Sequence, residues 1–366
     1  MNAVRIAVIG AGHLGKIHAR LLKSQSHVEL LGIVDPDEAA RRRASDELGI
    51  PVHGQYRPLL DQLDAAVVAA PTSVHHAIGM ELLERGIHVL MEKPLAAHAA
   101  QAEELVQAAA RNQVVLQVGH VEQFNPALLA VRDRLVPPSY VEAVRTSGYT
   151  FRSTDIGVVL DLMIHDLDLT LSLVQSTVTE VHAVGLKIFG PHEDIAQARL
   201  TFANGCIANL TASRVSHQAY RTLRLFAPEQ MATIDFGQGT ATLVQPTAQI
   251  CQQKLDVGQL SLEEKLHCKE RLFQDLLPLE QITPPAINAI QEEQRAFVAS
   301  IRSGEPVRVD GRQALEALVV AEHILHEIAA TQQARTSASA RVPAPLPGPH
   351  WYATPARFPD PRRRAG

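Results

Sequence analysis

Three side chains in this sequence have the types and spacing to do chemistry together. Lys93 stands in Glu92-Lys93-Pro94, at the end of the apolar run 88–92. Asp161 and His165 lie four residues apart in GVVLDLMIHDLDL, residues 157–169. On a helix that spacing puts both on one face. A carboxylate–histidine pair beside a lysine suits removal of hydrogen from an alcohol. A neutral imidazole takes the hydroxyl proton while hydride leaves the carbon, Asp161 orients the base, and Lys93 hydrogen-bonds the same hydroxyl or shares its proton. Whether His165 or Lys93 is the base stays open, because coupled groups share their proton. Asp166 and Asp168 point elsewhere on such a helix. With His165 and Asp161 they are also metal-ligand types, but no second cluster at suitable spacing accompanies them, and no metal is assigned.

Hydride needs an acceptor, and the N-terminus has the turn for one. VRIAVIGAGHLGKIHARLLK begins with the apolar, β-branched run 4–9 and continues into a helical pattern. Between them Gly10, Gly12 and Gly15 form G-x-G-x-x-G in the strand–turn–helix context of a dinucleotide site. Gly10 makes the tight turn, Gly12 lets backbone approach a pyrophosphate, and Gly15 lets helix pack on strand. His13 and Leu14 complete the turn, at a helix N-terminus that favours anions. The apolar run 28–34 ends in Asp35, twenty residues past Gly15, where an acid hydrogen-bonds a ribose hydroxyl and favours NAD. Arg41, Arg42 and Arg43 follow, either as a receptor for a 2′-phosphate or as a solvated helix face.

The elements that must position these residues follow in order. Runs 64–70, 88–92 and 114–118 read as further buried strands, separated by helical stretches 74–85 and 95–111. Strands alternating with helices make a parallel sheet, whose ligands bind beyond the strand C-termini. Ala70, Pro71, Thr72, Glu92 and Lys93 therefore join the glycine turn as expected cofactor contacts, with His75 on the nicotinamide side. The last such strand leads into GHVEQFNPA, residues 119–127. There Gln123, Phe124 and Asn125 are candidate substrate contacts, although Asn125 before Pro126 is also an ordinary helix start.

From about residue 140 the pattern changes. Runs 141–150, 181–189, 196–202, 206–213, 220–227 and 232–236 alternate like strands, with Asn204-Gly205 as a hairpin signal. Helices are expected at 158–174, 286–303 and 313–330. The expected architecture is an α/β Rossmann domain over residues 1–122, then an α+β domain with a large, mostly antiparallel sheet over 123–330. The Pro-, Ala-, Ser- and Arg-rich tail 331–366 has no apolar periodicity and is expected to be disordered or loosely draped.

Composition bounds the function. The 366 residues are 46% hydrophobic and carry a net charge of −5, which points away from nucleic acid and anionic membrane surfaces. Cys206, Cys251 and Cys268 form no framework and read as reduced thiols. With no apolar span of membrane length and no room before the first strand for a signal peptide, a cytoplasmic protein is expected. An exposed face on the second sheet would favour a homo-oligomer.

With these residues in hand, the chain resembles the glucose–fructose oxidoreductase/inositol dehydrogenase/MocA family. VIGAGHLGKIHA, MEKPLA (91–96), DLMIHDLDL (161–169) and the stretch from EEQRAFVAS to VVAEHIL (292–325) carry the resemblance. It implies that Lys93, Asp161 and His165 form the catalytic group of an NAD-dependent dehydrogenase. VGHVEQFNPA together with LDLMIHDLDL is similar to the branch acting on sugar nucleotides. That branch oxidises C3 of UDP-N-acetylglucosamine and supplies a 3-keto sugar to an aminotransferase in lipid A biosynthesis. Those sequences have Arg where this one has Gln123, which removes a cation from that position. Arg152, Arg214, Arg221 and Arg224 are then the candidates to meet a diphosphate. An inositol or free-sugar dehydrogenase is the alternative of the same family. A non-catalytic dinucleotide-binding regulator is the alternative of another class, against which Lys93, Asp161 and His165 together argue.

Overall fold

The computed structural model describes residues 3–151 and 156–337. The first domain is built on a six-stranded parallel sheet. Its elements are β1 (Val4–Ile9), α1 (His13–Lys23), β2 (Val28–Val34), α2 (Glu38–Leu48), β3 (Val52–His53), β4 (Ala65–Val68), α3 (Thr72–Glu84), β5 (His88–Met91), α4 (Ala99–Asn112) and β6 (Leu116–Val118). Strand order is β3-β2-β1-β4-β5-β6, so the direction of winding reverses beside β1. That reversal opens a crevice beyond the strand C-termini. Alternation along β1 sends its side chains into two cores. Ile6 and Val8 pack with Ala19, Leu22, Ala44 and Phe297, whereas Ala7 and Ile9 join Leu82, Val89 and Leu105. The edge strand β3 was not expected, because two residues carry no readable periodicity.

After a short helix α5 (Pro126–Leu129), the chain forms the second sheet. Its elements are β7 (Tyr140–Thr146), α6 (Ile164–Val174), β8 (Val178–Leu186), β9 (Ile195–Phe202), β10 (Ile207–Ser213), β11 (Tyr220–Ala227), β12 (Gln230–Asp235), β13 (Thr240–Val244), α7 (Ala248–Cys251), α8 (Leu262–Glu270) and β14 (Leu279–Ile282). Strand order is β14-β13-β12-β11-β7-β10-β9-β8, antiparallel throughout except for the β7–β10 pair. The Asn204-Gly205 turn joins β9 to β10 as expected, with Gly205 at φ +85°. Strands β13 and β14 extend the sheet beyond the six runs visible in the sequence.

Two helices close the chain, α9 (Ala289–Ser303) and α10 (Gly311–Ser337). They do not share one domain. Phe297 of α9 is fully buried against the first sheet, while Ile324 and Ile328 of α10 join the core of the second. Burying Phe297 contributes about 1.5–3 kcal/mol. The span 123–330 is therefore not one spatial unit, since α9 returns to the first domain. Helix α10 also runs to Ser337, past Thr331, where the tail was expected to begin. The remaining tail, 338–366, lies outside the described residues.

Candidate active site

The expected cofactor residues gather along the C-terminal edge of the parallel sheet. A cleft of about 590 Å³ is lined by Gly10, Asp35, Pro36, Tyr56, Ala70 and Pro71, among others. A Cβ on Gly15 would lie 1.9 Å from the Gly10 carbonyl oxygen, so only glycine lets α1 start this close to β1. A Cβ on Gly12 would meet nothing within 4 Å. That open space over a helix N-terminus is where the turn can receive a pyrophosphate. His13, Leu14 and Thr72 border this side and are accessible. These residues fit a dinucleotide.

Asp35 fixes the turn as well as facing the cleft. Its carboxylate accepts N–H bonds from Ala11 at 2.8 Å and Asp37 at 2.9 Å. The three arginines after it are engaged elsewhere. Arg41 donates to the carbonyls of Asp35 and Pro36, Arg42 pairs with Glu38 at 2.5 Å, and Arg43 lies 3.9 Å from Asp37. The solvated-face reading holds for Arg42 and Arg43, and Arg41 braces the loop. None is poised for a 2′-phosphate, which agrees with NAD.

His75 is placed differently from its expected role. It is buried, with Nδ1 2.9 Å from the Pro94 carbonyl oxygen and Nε2 2.9 Å from that of Ala70. Burial lowers its pKa, so the ring is neutral and donates to one of the two carbonyls. It braces the Lys93-Pro94 loop, whose peptide bond is cis, from behind.

Lys93 meets the second domain. Its Nζ donates to the Asp161 carbonyl oxygen at 2.7 Å and to Oδ1 at 3.2 Å. Here the expected pairing is corrected: Asp161 holds Lys93, not His165. Residues Val159–Met163 form a π-helical turn before α6. Its i→i+5 bonding interrupts the regular α-helical pattern at Asp161, and such turns occur often at functional sites. His165 Nδ1 is buried without a partner, leaving Nε2 as the nitrogen able to reach a ligand. Its pKa lies well below the ordinary histidine value. Burial is the main cause, followed by the charges of Lys93, Arg145, His120 and Arg221. His165 is therefore a neutral imidazole at pH 7, the state a general base needs.

Sequence reasoning passed over His120. Its ring lies edge-on to that of His165, centroids 6.0 Å apart, with both nitrogens buried and unpartnered. The available signal was its position, directly after the last parallel strand at the crevice edge. A buried ion network was also missed. Arg145 on β7 donates to Glu122 at 2.7 Å and Asp166 at 2.8 Å. Burial opposes its charge, but the two carboxylates raise its pKa above the ordinary value. This network fixes α6 beside His165.

Gln123 is fully buried rather than facing the crevice. Its amide donates to Asp168 at 2.6 Å and accepts from Arg132 at 2.5 Å, and Gln313 donates to the same aspartate at 2.6 Å. Phe124 sits in the core, and Asn125 caps α5 by accepting from Ala127 N–H at 3.1 Å. Gln123 thereby ties the exit from the first domain to α6, while the bonds of Asn125 are local. Beneath Lys93, Glu92 accepts from His18 at 2.8 Å, and Gln294 on α9 donates to the other ring nitrogen at 2.8 Å. Glu293 joins this cluster, its pKa raised well above the ordinary value by burial and then by the charge of Glu92. Donor atoms of His18, Glu92 and Glu293 converge within 4.8 Å, but both histidine nitrogens are already bonded within the protein.

A glycine turn that fits NAD, with Lys93 just past the end of β5 and a neutral His165 on α6 close enough for its pKa to feel the lysine charge, fits an NAD-dependent dehydrogenase. Residues 4–120 match the oxidoreductase family with an NAD-binding Rossmann fold, and residues 128–242 match the GFO/IDH/MocA C-terminal domain. The chain belongs to the GFO/IDH/MocA oxidoreductase family. It is 37% identical over 241 residues to a UDP-N-acetylglucosamine 3-dehydrogenase of Acidithiobacillus ferrooxidans, covering 66% of this chain and 76% of that one. A solved structure of UDP-N-acetylglucosamine 3-dehydrogenase from the same organism superposes with a TM-score of 0.80 at 31% identity, over 91% of this chain and 100% of that one. A myo-inositol 2-dehydrogenase of Thermotoga maritima is 25% identical over 344 residues, 87% of this chain and 94% of that one. Among the described residues, no helix is long and apolar enough to cross a membrane.

Proposed function

We propose that this protein oxidises the C3 hydroxyl of UDP-N-acetylglucosamine to the 3-keto sugar, with Lys93, His165 and Asp161 as its catalytic group. The observation that carries the reading is the Lys93–Asp161 contact across the domain boundary, with a neutral His165 in the same pocket. A Lys ammonium has three N–H donors. Asp161 engages two of them, through its carbonyl and Oδ1, and the third is left for the substrate oxygen. The ammonium charge polarises that hydroxyl. His165 Nε2 takes the proton, Nδ1 carrying the other ring hydrogen. NAD would be held at the glycine turn and Asp35 and would supply the hydride acceptor.

Support for the substrate comes from the relative at 37% identity, and the resemblance of 119–127 and 161–169 points the same way. A 3-keto sugar is the natural feed for an aminotransferase, so a partner enzyme of that class would consume the product. The test is incubation with NAD and UDP-N-acetylglucosamine, with an aminotransferase added to trap the ketone, following reduced nicotinamide. Turnover of the UDP-sugar above that of myo-inositol and free N-acetylglucosamine supports the reading. Oxidation of inositol with none of the UDP-sugar would overturn it.

A further inference from the structure

The catalytic group accounts for the sugar end of such a substrate and leaves its other end unassigned. The second sheet has one rim beside the catalytic group. There β7 and β10 end, β11 begins, and the β8–β9 loop turns back. The register puts Thr146 opposite both Ser213 and Tyr220, and Ile195 opposite Leu186. That loop is tied to the catalytic turn. The carbonyl oxygen of Glu193 accepts from Val158 N–H at 2.9 Å, and its carboxylate accepts from Val159 N–H at 3.1 Å, two residues before Asp161.

Two features of this rim are unused by the chemistry already described. The first is Arg221, which pairs with Arg145 across β7 and β11. Cross-strand partners project from the same face. Arg221 therefore stands beside the guanidinium that grips Asp166, on the side of His165, and its charge helps keep His165 unprotonated. It is exposed, and among the described residues no carboxylate lies within salt-bridge distance of it. The other described candidates for a diphosphate are engaged: Arg214 with Asp194 at 2.7 Å and Arg224 with Glu142 at 3.2 Å. Arg152 lies outside the described residues.

The second feature is an aromatic cluster in water. Tyr149 packs against Phe151 and Phe189 with ring centroids 4.9 and 4.4 Å away. Phe151 is 77% exposed and Phe189 58%. Phe151 also sits at φ +57°, a conformation a bulky residue adopts only under constraint. Tyr149 lies four residues beyond Arg145, at most about 14 Å of chain. An anion site and an aromatic platform within that reach match a diphosphate followed by a base.

We propose that this rim is the nucleotide half of the substrate site, with Arg221 binding the diphosphate and Tyr149, Phe151 and Phe189 stacking the base. The choice of ligand rests on the sugar-nucleotide reading above. Bases of any sequence stack on aromatic side chains, and removing such a platform weakens binding roughly tenfold or more. A guanidinium–phosphate contact removed costs a similar factor.

The probe is UDP itself, titrated calorimetrically into the NADH complex of the wild type, Arg221→Gln, and the double variant Phe151→Ala/Phe189→Ala. The expected result is UDP binding by the wild type, weakened roughly tenfold or more in each variant, with melting temperature and NADH affinity unchanged. No UDP binding by the wild type, or equal binding by all three, overturns the assignment even if UDP-N-acetylglucosamine is oxidised. UDP affinity unchanged in the double variant, with an altered sedimentation coefficient, makes the cluster a contact between copies and also overturns it. UDP bound at this rim without turnover of the UDP-sugar leaves this site standing and removes the proposed reaction instead.

Discussion

At the residue scale, the proposed chemistry turns on one imidazole kept neutral by burial and by nearby cations. His165 has its pKa well below the ordinary value. Its protonation at low pH would remove the base, so kcat/KM should fall only below pH about 6.5, the unperturbed histidine value. A profile that loses its acid limb above pH 7 would contradict a buried, cation-flanked base. The same shift bears on stability. Below pH about 6.5 the unfolded chain takes up a proton that folded His165 resists, so acid favours unfolding. His75 and His120 are shifted in the same direction by burial and add to it. His165→Ala and Lys93→Ala should each lower kcat by about 10²- to 10⁴-fold while NADH binding, read by fluorescence, persists. The approach of Lys93 to His165 was legible because their neighbours in sequence are distinctive. The partner of Asp161 was not, because helical spacing carries no information about Lys93, 68 residues away in the chain. The π-helical turn at Val159–Met163 is anchored at its first residue, whose N–H donates to the Glu193 carboxylate 34 residues away in the chain.

At the element scale, the glycine turn separates binding from folding. Gly12→Ala adds a methyl group into open space at φ −68°, a conformation any residue adopts. The chain should fold with an unchanged melting temperature and lose NAD affinity, because the methyl occupies the pyrophosphate's approach. Gly15→Ala instead drives Cβ to 1.9 Å from the Gly10 carbonyl oxygen. It should lose both stability, by about 1–3 kcal/mol as for an overpacked core, and NAD affinity. Calorimetry and NAD titration on the two variants check the contrast. Equal destabilisation would mean that Gly12 has a packing role. Elements of this kind were readable: β1, β2 and the hairpin at Asn204-Gly205 follow directly from apolar runs and turn residues. The two-residue β3, the edge strand β14 and its neighbour β13 were not. Thr240–Val244 and Leu279–Ile282 are short, and β14 has three exposed residues, so burial imposes little pattern on β14, while the alternation of β13 spans only five residues.

At the scale of the whole molecule, buried polar networks hold the crevice in shape. They join segments far apart in sequence, which is why composition and periodicity gave no sign of them. Gln123 looked like a ligand contact because it follows the last parallel strand, yet its amide is consumed by Asp168 and Arg132. The assignment of α9 to the second domain failed for a related reason: periodicity shows that Phe297 is buried, but not against which sheet. Arg145 is the strongest test of the networks. It lies on the second sheet, Glu122 on the exit from the first domain, and Asp166 on the helix next to His165. Arg145→Met keeps the length of the side chain and removes its charge, leaving two buried carboxylates without a cation. Breaking a buried pair from one side costs about 3–5 kcal/mol. The variant should melt well below the wild type, and kcat should fall more than NAD affinity, because α6 is freed while the glycine turn is untouched. Adding Glu122→Gln and Asp166→Asn removes the stranded charges and should recover much of the stability. If the single variant melts with the wild type, the ion network does not set the position of the histidine-bearing helix.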